Sequence, residues 1–192
     1  MRFILKSAIA MTLFVSSLAN AQWTLDTASS DVFFLTTKNT HITETSHFKS
    51  LSGALSNDGQ ATLKIDLASI DSLIPIRNER MAKFLFETSK FAEATVTVKV
   101  AASELKSLAE QGSLNTQISA KVSLHGVEKT MPVAVFASQD SKGNITLVTT
   151  KPLLIQATDF ALKGGIDQLK DIAKLASISY TVPVSFKLTY KK

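Results

Sequence analysis

The sequence predicts an all-β domain of antiparallel strands. Seven runs alternate apolar and polar residues with a period of two, and an eighth does so more weakly. That period places one side of each strand in an apolar interior and the other in water. Turn-forming clusters separate the runs: Asn57-Asp58-Gly59, His125-Gly126 and Lys142-Gly143-Asn144. The 192 residues are 45% hydrophobic and 19% charged, a globular composition. About eight strands in one domain are compatible with a sandwich or a closed barrel.

In chain order, the first segment is not part of the fold. Met1–Ala21 has basic Arg2 and Lys6, an apolar stretch Ala8–Leu18 and the small-residue signal Ala19-Asn20-Ala21. This is the pattern of a secretory signal peptide cut before Gln22, so the domain is expected to span residues 22–192 and to be exported. The apolar stretch is shorter than the roughly 20 residues of a spanning helix, so stable membrane insertion is not expected.

Asp31–Asn39 is the first predicted strand, and Phe48–Ser56 is the weaker run. Leu63, Ile65 and Leu67 then alternate with Lys64, Asp66 and Ala68. Arg77–Glu87 breaks the pattern, with Met81, Phe84 and Leu85 at helical spacing. Val96, Val98 and Val100 make the next strand. Ser103–Gln111 reads as a further helical turn ended by Gly112. Ile118, Ala120, Val122 and Leu124 share one strand face, followed by Met131–Ser138 and Asn144–Ile155. Ile166, Leu169, Ile172 and Ala173 define a second helix over Ile166–Leu175, and Gly164-Gly165 is expected to allow its sharp start. Ile178–Tyr190 is the clearest strand. Pro183 lies on its polar side, where a bulge or an unpaired position is expected because proline has no N–H to give a ladder.

Chemistry is limited by what the chain lacks. With no cysteine, thiolate zinc sites, disulfides and a cysteine nucleophile are excluded. The three histidines, His41, His47 and His125, read as surface residues rather than metal ligands. There is no G-x-S-x-G elbow and no phosphate-cradling glycine loop, so no catalytic residues, cofactor or metal are assigned. Without the leader, 19 Lys and Arg face 16 Asp and Glu, and they are spread along the chain, which is poor ground for nucleic-acid binding. Arg77 and Arg80 are the only arginines after Arg2 and share a helical face. They read either as a solvated face paired to Glu79, Glu87 or Asp71, or as a clamp for an anionic group.

Several motifs resemble the YceI family of exported lipocalin-like proteins that bind polyisoprenoid lipids. Trp23-Thr24-Leu25-Asp26 with Ser30-Asp31-Val32-Phe33-Phe34 is similar to the family's opening. Phe48 with Leu51-Ser52-Gly53 and Ile65–Ser72 resemble its next strands. Ile76–Met81 with Phe84-Leu85-Phe86 resembles its arginine-bearing helix. Leu124-His125-Gly126-Val127 and Asp159-Phe160-Ala161-Leu162 are similar to its later hairpin and D-F-G-L element, with Ala161 at the glycine position. Asn78 stands where many members carry Asp, and Ala92 where proline is common.

The resemblance implies an eight-stranded antiparallel lipocalin-like barrel with two short helices, located in the periplasm. Such a barrel either fills its interior with side chains or holds a ligand; the resemblance implies the ligand. The implied cavity residues are Phe34, Phe48, Leu63, Ile65, Leu67, Met81, Phe84, Val96, Val98, Ile118, Val122 and Phe186, with Arg77 and Arg80 at a headgroup. At roughly 0.8 kcal/mol per buried methylene, about ten carbons give roughly 8 kcal/mol gross, micromolar binding before ordering costs. A long isoprenoid, quinone or acyl chain is therefore the expected partner, for sequestration or transport. A homodimer is an open possibility. The alternative is an interaction protein with a side-chain-filled barrel.

Overall fold

A computed structural model describes residues 21–192. The expected leader lies outside the described residues except for Ala21.

Among the described residues twelve strands follow one another: β1 (Ala21–Leu25), β2 (Asp31–Lys38), β3 (Ile42–Phe48), β4 (Leu51–Ser56), β5 (Gln60–Asp66), β6 (Ile70–Asp71), β7 (Glu93–Lys99), β8 (Ser113–Leu124), β9 (Val127–Gln139), β10 (Ile145–Thr149), β11 (Leu153–Gln156) and β12 (Thr181–Lys191). They make eight staves, because four staves are each built from two strands: β1 with β2, β3 with β4, β5 with β6, and β10 with β11. The ring runs β1–β4–β5–β7–β8–β9–β10–β12 and closes by β12 pairing with β1, all antiparallel. On its other half β12 pairs with β2, which continues to β3 and β6, while β11 pairs with β12. Closure leaves the ring without an unpaired edge.

Period-two patterning decides which side faces in. In β12, Val182, Val184, Phe186, Leu188 and Tyr190 point to the interior, and in β8 Leu114, Ile118, Ala120, Val122 and Leu124 do so. Pro183 sits opposite Leu154 in unbroken register, one residue past the β2 ladder, which starts at Val184. No bulge is needed. The run Asn144–Ile155 is broken into β10 and β11 around Pro152 rather than continuous.

Among the described residues three helices, rather than two, cover the ends. α1 (Pro75–Arg80) continues into a π-turn at Met81–Leu85, α2 spans Ala102–Gln111, and α3 spans Lys163–Ile172. Gly164 and Gly165 lie inside the first turn of α3, not ahead of it. The role of Gly165 is close approach: a Cβ there would stand 2.5 Å from the Phe84 carbonyl oxygen and 2.8 Å from the Leu85 Cα. The absent side chain lets α3 rest directly on the π-turn backbone.

The candidate ligand cavity and its mouth

The barrel interior is not filled by side chains. It encloses a cavity of about 630 Å³ lined almost entirely by apolar groups. Each wall strand contributes alternate residues: Val32 and Phe34 from β2, Leu63 and Ile65 from β5, Ala94, Val96 and Val98 from β7, and Val133, Val135 and Ala137 from β9. Tyr190 lines it too; burial pushes its phenol up to about 12, and its O–H donates to the Thr62 carbonyl at 3.3 Å.

The two ends differ. At one end α2 lies across the barrel, with Leu105 and buried Leu108 over the interior. Glu104 and Thr116 are the polar lining there; the Thr116 hydroxyl donates to Glu104 Oε1 at 2.7 Å. The other end is framed by α1, α3 and the β2–β3 turn. Ile74, Ile76 and Ala173 both line the cavity and face solvent, and they are the lining residues that are exposed. This is the mouth.

Charge gathers at the mouth. Glu44 of β3 accepts Lys38 at 2.8 Å and receives Arg77 from α1 at 3.1 and 3.3 Å. The Lys38 hydrogen bond, with the Arg77 charge behind it, holds the Glu44 carboxyl below the usual range despite partial burial. The partner of Arg77 is thus a residue 33 positions away, not Glu79, Glu87 or Asp71. Arg80 also lines the cavity and has no carboxylate within 4.0 Å among the described residues. The two arginines therefore differ: one is held in an ion-pair triad, the other is free.

Asn78 pins the segment before α1. Its Oδ1 accepts the Ser72 N–H at 2.8 Å and hydroxyl at 2.6 Å, and its Nδ2 donates to Asp71 at 3.2 Å. An aspartate here would place a second carboxylate against Asp71, whose own carboxyl is lowered to about 2, first by Lys49 and then by the Leu73 N–H and Asn78.

Of the residues named from sequence, Phe34, Phe48, Leu63, Ile65, Leu67, Met81, Val96, Val98, Ile118, Val122 and Phe186 all line this one cavity, as do Arg77 and Arg80. Phe84 does not, and is corrected. The π-turn bonds run five residues back, the Phe86 N–H to the Met81 carbonyl at 2.9 Å. The extra residue rotates the face, so Leu85 and Phe86 turn inward beside Met81 while the Phe84 ring sits under the Lys83 ammonium. Leu55, Leu147 and Leu188 join the lining; their period-two positions were the available signal.

The histidines hold ordinary pairings. His47 meets Asp31 at 3.0 Å and His125 meets Glu87 at 3.1 Å. His125 is a correction to the surface reading: only 9% of its side chain is exposed, beneath Phe91 with ring centroids 4.4 Å apart. No group of three metal-ligating side chains occurs among the described residues, and no described helix is long and apolar enough to cross a membrane.

Residues 23–190 match the YceI-like domain. Among solved structures, the chain is similar to a polyisoprenoid-binding domain from Saccharophagus degradans implicated in plant cell wall breakdown, with 39% identity and a TM-score of 0.85 over 89% of this chain and 98% of that one. BcnA from Burkholderia cenocepacia shares 22% identity at a TM-score of 0.66, over 86% of this chain and 98% of that one. A YceI protein from Campylobacter jejuni shares 11% identity at 0.54, over 100% and 98%. The last two likenesses show the fold alone. No curated protein matches the chain. The family match runs from the strand that opens the barrel to the strand that closes it, and on that ground the chain belongs to the YceI-like family.

Proposed function

We propose that this protein is exported to the periplasm and binds one long-chain apolar lipid, a polyisoprenoid, quinone tail or acyl chain, inside its barrel for sequestration or transport. The observation that carries the reading is the apolar cavity of about 630 Å³ inside the barrel, open at one end. At the ~30 Å³ of a water-sized group, it has room for about twenty carbons. Their burial is worth about 16 kcal/mol gross at ~0.8 kcal/mol each. Association consumes roughly 4–15 kcal/mol of that, so a short chain would not be held and a long one would. Desolvation and shape suffice, and no covalent step is involved. The similarity to a polyisoprenoid-binding domain supports the same ligand class.

Free Arg80 is the group of this site able to take an anionic headgroup, with Arg77 held beside it by Glu44. The test is organic extraction and mass spectrometry of protein isolated from the periplasm of a host expressing the chain with its leader. One long-chain lipid per polypeptide and an N-terminus at Gln22 are expected. A lipid-free protein that also refuses an offered polyprenol would overturn the binding reading. Met1 found intact on periplasmic protein would overturn leader cleavage. Arg80→Ala should weaken a polyprenyl phosphate more than the neutral alcohol; equal loss of both would remove the headgroup role.

A further inference from the structure

We propose that the open end of the barrel docks onto the surface of an anionic phospholipid bilayer, setting the cavity mouth against the membrane. This rests on the lipid-binding reading and adds where the lipid passes in and out. Six large apolar side chains are exposed among the described residues. Five of them, Ile42, Leu73, Ile74, Ile76 and Ile172, sit on the elements that frame the mouth; the sixth, Leu154, is on β11, where its neighbours Leu153 and Ile155 face the cavity. Apolar side chains concentrated in this way mark an interaction surface, whereas scattered ones are ordinary.

Leu73 is the most exposed of them, at 85%. Its backbone has φ +62, in the left-handed region that leucine rarely adopts. It is fixed there: its N–H donates to Asp71 Oδ1 at 2.9 Å, and the adjacent Ser72 is tied twice to Asn78. A leucine held in an unfavourable conformation and in water gains nothing from the fold. An interfacial bilayer site would supply its apolar partner.

Charge fixes the kind of bilayer. Residues 73–85 and 163–175, which carry the two framing helices, hold Arg77, Arg80, Lys83, Lys163, Lys170 and Lys174 against Glu79, Asp167 and Asp171. That surplus of three equals the whole surplus of residues 22–192, so the rest of the domain is balanced. Basic groups beside apolar anchors favour anionic headgroups. A mouth pressed on a membrane also spares a long chain the passage through water, whose cost grows with every methylene exposed.

The test is co-sedimentation of the processed protein with vesicles of phosphatidylcholine alone and of phosphatidylcholine with phosphatidylglycerol. Wild type should bind the anionic vesicles preferentially. Leu73→Gly combined with Ile76→Ser should lower that partitioning by about tenfold or more, while Leu73→Gly keeps or raises the melting temperature because glycine accepts positive φ. Leu154→Ser should partition like wild type. Equal binding to both vesicles, unchanged partitioning of the rim variant, or equal loss with Leu154→Ser would overturn the proposal. So would a rim-dependent dimer in sedimentation equilibrium, which would assign the surface to a second copy. Lipid content by extraction is measured separately, so docking can fail while lipid binding stands.

Discussion

The two ends of the barrel are built differently. At the α2 end the connections are short or helical, and their left-handed positions are filled by Gly59, Gly112 and Gly143, which adopt positive φ without a Cβ clash. At the mouth end, Asn39, Thr40, Leu73, Glu87, His125, Ala161 and Lys174 all have positive φ, and these are all such non-glycine residues among the described chain. Each non-glycine residue in that region costs roughly 1–2 kcal/mol, less for asparagine. The α2 end is therefore a relaxed floor, and the mouth holds backbone strain and exposed isoleucines and leucine together. Strain kept at one end and absent from the other marks the end where function resides.

Five substitutions test this asymmetry. The largest effect is expected from Leu108→Ala in the floor, a loss of about 2–3 kcal/mol in denaturant unfolding. That is the lower part of the range for a buried leucine, because the neighbouring cavity already leaves space. Ile76→Ala at the mouth should change stability by less than about 0.5 kcal/mol. Comparable losses would erase the distinction between floor and mouth. Next, Gly165→Ala should cost about 1–3 kcal/mol, since the new Cβ meets π-turn backbone. It should also speed lipid release by loosening α3 from the mouth; an unchanged off-rate would show that α3 does not gate it.

Ala161→Gly works in the other direction. Ala161 has φ +56 between the turn Ala157–Phe160 and α3. Glycine should raise stability by up to about 1 kcal/mol, roughly 2–4 °C in melting temperature. The smallest effect concerns the Lys38–Glu44–Arg77 triad. Because the folded Glu44 carboxyl is lowered from 4.5, its contribution is present above that value and is lost as pH falls through the folded value. The pair is partly exposed, so the contribution is a few tenths of a kcal/mol to about 1 kcal/mol. Glu44→Gln should therefore melt below wild type at neutral pH and match it in acid. A gap that persists in acid would mean that shape, not charge, matters at this position.

The walls were legible in the sequence, and the mouth was less so. Strands such as β8 and β12 face water on one side and the cavity on the other, and both environments impose period two. β3 was not visible as a strand because its inward side carries Glu44 and Ser46, so Ile42–Phe48 shows no apolar alternation. The resemblance implied Phe84 in the cavity and helical spacing put it on one face with Met81 and Leu85, but the π-turn adds one residue and brings Phe86 there in its place. The partner of Arg77 comes from a strand far away in sequence, which local spacing cannot indicate. The open interior is also a property of assembly: the same alternation would describe a packed barrel.

The most direct test of the central claim, that the interior is a ligand space and not a core, is Val98→Trp. Val98 lies between Ala61 and Ala120 on the neighbouring strands and points into the cavity. Native mass spectrometry and thermal melts of the variant, purified alongside wild type, read occupancy and stability together. The account predicts that bound lipid is lost or shortened while the melting temperature stays within about 2–4 °C, equivalent to about 1 kcal/mol. Destabilisation of about 1–3 kcal/mol by overpacking, with no lipid on either protein, would contradict it.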